Sequence, residues 1–169
     1  ILLRDDAEVS WHSLQQNDDA SRSYQICRVQ LKRNARFRSF HGQLGSRVAR
    51  IDLDCVLQGP GAEAVMRAGS FADGSRHLDF HPTQVHEAPS CASHLYAKAV
   101  VKNSARNVYA GFIRVHEGAQ HTDAYQKNRN LLLSSSARAD SIPNLEIKAN
   151  DVKCSHGATL GQIGEEELF

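Results

Sequence analysis

The chain has 169 residues, with 20 Lys and Arg against 19 Asp and Glu and a formal net charge of +1. That length suits one continuous core, and the balanced charge argues against a dedicated nucleic-acid surface, which needs a basic excess. No apolar run approaches the ~18 residues of a membrane span, and Ile1-Leu-Leu-Arg-Asp-Asp6 becomes charged too early for the apolar stretch of a signal peptide.

From the N-terminus, residues 1–23 are polar and include Gln15-Gln-Asn-Asp-Asp-Ala-Ser21, which predicts an exposed loop or bulge. Helical periodicity is almost absent thereafter. Tyr24–Leu31, Arg47–Leu57 and Asn107–Val115 read as strands, and in the second Val48, Ile51, Leu53, Cys55 and Leu57 largely keep a two-residue period. The breaks fall at Gly59-Pro-Gly-Ala62, Ala72-Asp-Gly-Ser75, Asn103-Ser-Ala105, Glu117-Gly-Ala119 and Ser134-Ser-Ser-Ala137. Short strands without intervening helices leave a sandwich, a barrel or a β-helix. Hairpin signals are nearly missing, since only Asp73-Gly74 fits. Rows of small residues at the breaks, with coils of roughly 20 or more residues, fit a stacked parallel β-helix better. The end coils of such a stack expose unpaired backbone and need a cap or a partner. Gly164–Phe169 reads as the start of an acidic helix, and the chain as a piece of a longer protein.

Several residue groups could carry chemistry. Arg28 to Arg38, with Phe37 and Phe40, is a basic run with aromatics, more simply a solvated strand face. Asp52 and Asp54 share a strand face, as the acid pair of a β-helical carbohydrate-active enzyme would. His77, His81, His86, Cys91 and His94 crowd one stretch, and His77, Asp79 and His81 share a strand face that could assemble metal ligands. Their spacing matches no standard zinc pattern, and the simpler reading is polar side chains on an exposed face with a turn around Pro82 and Pro89. Cys27, Cys55, Cys91 and Cys154 form no CxxC pair, as expected of reduced thiols in a cytosol-like compartment. Cys154 and His156 are two residues apart, so on a strand they project from one face about 7 Å apart. Thiolate and imidazole suit iron in a cluster, copper(I) or zinc, but two ligands make only part of a site. A buried Cys beside a surface His is the alternative.

Eight stretches in order along the chain resemble the SufB/SufD family: Leu57–Ala62, His77–His81, Glu87–Tyr96, Tyr109–Val115, Gly118–Ala124, Asn128–Ser134, Ile142–Ala149 and Asp151–Thr159. The resemblance is strongest from about residue 40 onward, and Lys153-Cys-Ser-His-Gly-Ala-Thr159 favours the SufD branch. Ser90 and Ala97-Lys98 depart from the family pattern, which often has His at the first and Lys-Gly at the second. The resemblance implies a right-handed parallel β-helix over residues 1–163 and the start of a C-terminal helical segment at 164–169. It implies a non-catalytic, cytoplasmic or plastid-stromal scaffold of the SUF system for iron–sulfur cluster assembly. SufB would pair with it β-helix to β-helix, and the ATPase SufC would bind through the C-terminal helical segment. Cys154 and His156 would meet a transient iron–sulfur cluster at the SufB interface, with no metal held stably by the isolated chain. The open end coils would also permit a homodimer.

Overall fold

The computed structural model describes residues 1–163; the helix expected at 164–169 lies outside the described residues. The chain winds through six coils, each giving one strand, or one split strand, to each of two facing sheets. The first coil holds β1 (Leu2–Leu3) and β2 (Glu8–Gln15), the second β3 (Arg22–Leu31) and β4 (Arg36–Gln43). The third holds β5 (Val48–Leu57) and β6 (Glu63–Ala72), the fourth β7 (His77–His86) and β8 (Ala92–Val101). The fifth holds β9 (Arg106–Tyr109), β10 (Phe112–Val115) and β11 (Thr122–Leu132). The sixth holds β12 (Arg138–Ser141), β13 (Asn144–Ile147) and β14 (Val152–Gln162).

Every ladder is parallel and joins a strand to the equivalent strand one coil away. In the second sheet Glu8, Arg36, Glu63, Ala92, Asp123 and Lys153 stand in one row, a repeat near 30 residues. This is a parallel β-helix, as the missing hairpin signals and the small-residue breaks predict. The one Asp-Gly pair, Asp73-Gly74, is a corner between β6 and β7 and joins no hairpin.

The corners explain the breaks. One corner carries a left-handed residue in five successive coils: Asp6, Asn34, Gly61, Ser90 and His121, with φ of 60, 53, 73, 57 and 59°. Ser46, Gly74 and Asn103 do the same at the opposite corner. Asn, Asp, Gly and Ser tolerate this conformation, which reverses the chain without a helix. A side chain at Gly61 would also run into Asn34 Oδ1 of the neighbouring coil, 2.5 Å from the position of a Cβ.

Strand alternation then sorts the side chains. Ile51, Leu53, Cys55 and Leu57 of β5 point between the sheets, where they meet Phe37, Met66, Phe80 and Leu95, while Ala49 joins a second cluster with Leu78, Ala99 and Val101. Each fully buried Leu or Phe there contributes about 1.5–3 kcal/mol. Ion pairs between coils on the outer faces, such as Arg28 with Asp54 and Arg114 with Glu146, reinforce register more than stability.

Two expectations change. The polar N-terminal stretch is not a loop throughout: Glu8–Gln15 forms a full strand, register-paired with Arg36–Gln43. Pro82 is not in a turn either. It sits inside β7, buried, opposite Leu53. Lacking an N–H, it cannot donate to the next coil, and the next strand breaks there, at Ala110-Gly111 between β9 and β10. The break recurs one coil on, at Ile142-Pro143 between β12 and β13.

Candidate functional site

Most of the sequence-level candidates disperse in three dimensions. His77, Asp79 and His81 do share the outer face of β7, with His77 Nε2 2.7 Å and His81 Nε2 4.0 Å from the Asp79 carboxylate. His86 instead points between the sheets, fully buried, its Nε2 2.7 Å from Ser93 Oγ. Cys91 is buried at a corner, its thiol donating to the Gly59 carbonyl at 3.2 Å. His94 faces outward from the other sheet, beside Asp123 at 3.4 Å. No group of three or more potential ligands capable of holding a metal ion forms among the described residues.

The basic run is spent on ion pairs: Arg28 with Asp54, Arg33 with Asp5, Arg36 with Glu63 and Arg38 with Glu8. Phe37 is buried and only Phe40 of the two aromatics is exposed, so the run carries no pair of stacking rings. Asp52 and Asp54 lie on the outer face of β5, held by Arg50 and Arg28. Neither is placed as a free acid or base.

Cys154 and His156 belong to a different setting. Both project from the inward face of β14, which pairs with β11 along its whole length and forms the edge of the second sheet. Cys154 stands opposite the buried Ala124 and packs, half-buried, on the cluster of Ile113, Val115, Ala119 and Ala149. Burial pushes its thiol above the ordinary range, outweighing a bond from the Ala124 backbone. His156 is exposed, since no coil among the described residues lies on β14. It stands opposite Gln126, which accepts a 2.6 Å hydrogen bond from the Tyr109 hydroxyl and donates to the Asn144 carbonyl at 3.3 Å. Sequence reading missed Tyr109 and Gln126, since only coil stacking brings them beneath the terminal strand.

Among the described residues this end of the stack is uncovered and carries apolar side chains. Ile142, Ile147 and Leu160 are 52%, 42% and 59% exposed around this strand. Sheet edges are ordinarily protected by charges, prolines or short strands. β14 runs for 11 residues with Lys153 as its only charged side chain and no proline.

A family model described as the SufBD core domain of the SUF system for FeS cluster assembly matches residues 1–169. The chain belongs to the SufBD family. Over its full length it is 34% identical to an iron–sulfur cluster assembly SufBD family protein of Synechocystis sp., covering 37% of that protein. Over 75% of its length it is 35% identical to the iron–sulfur cluster assembly protein SufD of Escherichia coli, covering 30% of it. A chloroplastic protein of Arabidopsis thaliana is 29% identical over the full chain, with 36% of its own length covered. The chain thus spans about a third of the length of these three relatives. The match includes residues 1–40, where resemblance by motif is weak. No helix among the described residues is long and apolar enough to cross a membrane.

As a ligand set the open end is incomplete by itself. A thiol and an imidazole on one face are of a donor type that suits iron or a cluster, and two such groups are only part of a ligand set.

Proposed function

We propose that this chain is the β-helical part of a non-catalytic SufD-type scaffold that builds iron–sulfur clusters jointly with a SufB subunit. The observation that carries the reading is β14, a long edge strand almost without charge that holds Cys154 and His156 at the open end of the stack. A β-strand of SufB paired on that edge would satisfy the backbone groups left free there. It would also enclose Cys154 and His156 between two chains, with SufB supplying the remaining ligands to the nascent cluster. The cluster is cargo: it forms at the shared face and leaves. Contact with the ATPase SufC belongs, on the family resemblance, to the segment C-terminal to the coils. The chloroplastic relative and the reduced cysteines support a cytoplasmic or plastid-stromal setting.

The test is co-purification of the full-length protein with SufB and SufC, scoring iron and sulfide per complex. Cys154→Ala and His156→Ala are expected to leave the complex intact and lower its cluster content. Normal cluster content in both variants would overturn the assignment of these residues. Failure of the wild type to associate with SufB would overturn the pairing.

A further inference from the structure

The outer face of the second sheet segregates its charge. Its acids, Glu8, Glu63 and Asp123, all stand in one marginal row. Two rows further in, the outward side chains run Phe40, Arg67, Tyr96, Lys127 in one row and Gly42, Gly69, Lys98, Arg129 in the next. Arg67, Lys98, Lys127 and Arg129 have no ion-pair partner among the described residues, whereas the arginines of the basic run are all paired. Lys98 and Arg129 stand directly opposite each other across the ladder, an arrangement of like charges that destabilises a sheet. The fold has no use for this patch that its contacts reveal.

Among these cations lies a groove of about 490 Å³ with an apolar floor, bounded by Phe40, Arg67, Ala68, Gly69, Tyr96 and Lys98. It is open because residue 69 has no side chain. Phe40 and Tyr96, 42% and 38% exposed, form its two walls. A second depression adjoins it, lined by Tyr96, Lys98, Lys127 and Arg129. One apolar slot beside a cluster of cations has the chemistry of a peptide-docking site: the slot takes an anchoring side chain, and the cations take carboxylates on either side.

We propose that this face docks an acidic segment of a partner polypeptide, inserting one apolar or aromatic side chain between Phe40 and Tyr96 and placing its carboxylates on Lys98, Lys127 and Arg129. A single-stranded nucleic acid fits less well. Its backbone needs cations along a continuous track, while here Arg36 and Arg38 are taken by Glu63 and Glu8 and the unpaired cations of this face, Lys153 apart, stand in only two rows. The proposal does not depend on the reading of Cys154 and His156, which lie on the opposite face of their sheet.

The test titrates a fluorescently labelled Glu-Glu-Glu-Phe-Glu-Glu peptide into the full chain at low salt. The expected result is saturable binding that weakens about tenfold or more in Lys98→Glu/Arg129→Glu and on replacing the peptide Phe by Ala. Gly69→Leu should weaken it as much by filling the slot, since a Cβ at 69 makes only ordinary contacts of 3.5 and 3.7 Å with Phe40. Lys127→Glu provides an independent charge test, and unchanged circular dichroism confirms that each variant folds. Absence of saturable binding, or binding indifferent to Gly69→Leu and to the charge reversals, would overturn the proposal. Tighter binding of a poly-dT oligonucleotide, unaffected by Gly69→Leu, would overturn it in favour of nucleic acid.

Discussion

Tyr109 and Gln126 meet inside the fifth coil, hydroxyl to amide oxygen at 2.6 Å, directly beneath the strand that carries His156. Both are buried, and burial pushes the tyrosine hydroxyl strongly up, so it is a permanent donor. Tyr109→Phe leaves Gln126 Oε1 without that donor and is expected to destabilise the chain by about 1–3 kcal/mol, read from urea unfolding. Gly111→Ala should do at least as much harm, because its Cβ would lie 2.0 Å from Gln126 Oε1 and 2.4 Å from the Tyr109 hydroxyl. Since Tyr109→Phe removes one of those two obstacles, the double variant should lose less than the sum of the singles. Strict additivity would show that the three residues are not coupled.

Acid should weaken the fold through its buried histidines. Burial lowers both His41 and His86 from 6.5 to about 4. The unfolded chain therefore takes up these protons first as pH falls. Stability from the neutral rings is complete above about pH 6.5, declines as pH drops towards about 4, and is gone below it. Each ring accounts for about 3 kcal/mol across that window. His86→Gln should flatten the dependence of unfolding free energy on pH by close to one proton. An unchanged slope would mean that His86 is protonated in the folded chain.

Thiol reactivity should single out Cys154. Cys27, Cys55 and Cys91 are buried, and burial drives Cys55 up to about 12. Cys154 is half-buried with its thiol also raised, so it should label first, but slowly at neutral pH and faster as pH rises above 9.0. Peptide mapping after brief iodoacetamide treatment would check this. Faster labelling of Cys27 would contradict the burial order.

The edge of β14 should tolerate charge in the lone chain. A Cβ added at Gly157 has no heavy atom within 4 Å. Gly157→Glu, opposite Lys127, is thus expected to change stability by less than about 0.5 kcal/mol, while adding a charged side chain of the kind that discourages strand pairing. If β14 is the pairing edge, association with SufB should weaken. Full association would point to a different edge.

Much of the fold could be read in advance because the corners are chemically marked. Gly59-Pro-Gly-Ala62, Ala72-Asp-Gly-Ser75 and Asn103-Ser-Ala105 all fall where the chain changes sheets. The alternation in Arg47–Leu57 likewise announced β5. Glu8–Gln15 was obscured because Trp11 faces inward in a coil that, among the described residues, has one neighbour only, and Leu14 faces outward opposite Gly42, so both stay exposed among polar neighbours. Pro82 misled because proline normally ends a strand, whereas here its missing donor is absorbed by a gap in the next coil. The adjacency of Cys154 and His156 followed from spacing alone. What stands beneath them did not, since Tyr109 and Gln126 are joined to β14 by coils about 30 residues long. The unpaired cations were hidden for the same reason: Arg67, Lys98 and Arg129 come from three different strands.

The placement of Cys154 on a last coil has a thermodynamic side. In a linear array each interior unit is held by two neighbours and a terminal one by a single neighbour. Among the described residues the sixth coil has a neighbour on one side only, so in this chain hydrogen exchange should find its amides opening more readily than those of β8. A partner strand laid on β14 would turn this terminus into an interior position. Complex formation and the stiffening of the Cys154–His156 pair would then be one event, sharing one free energy.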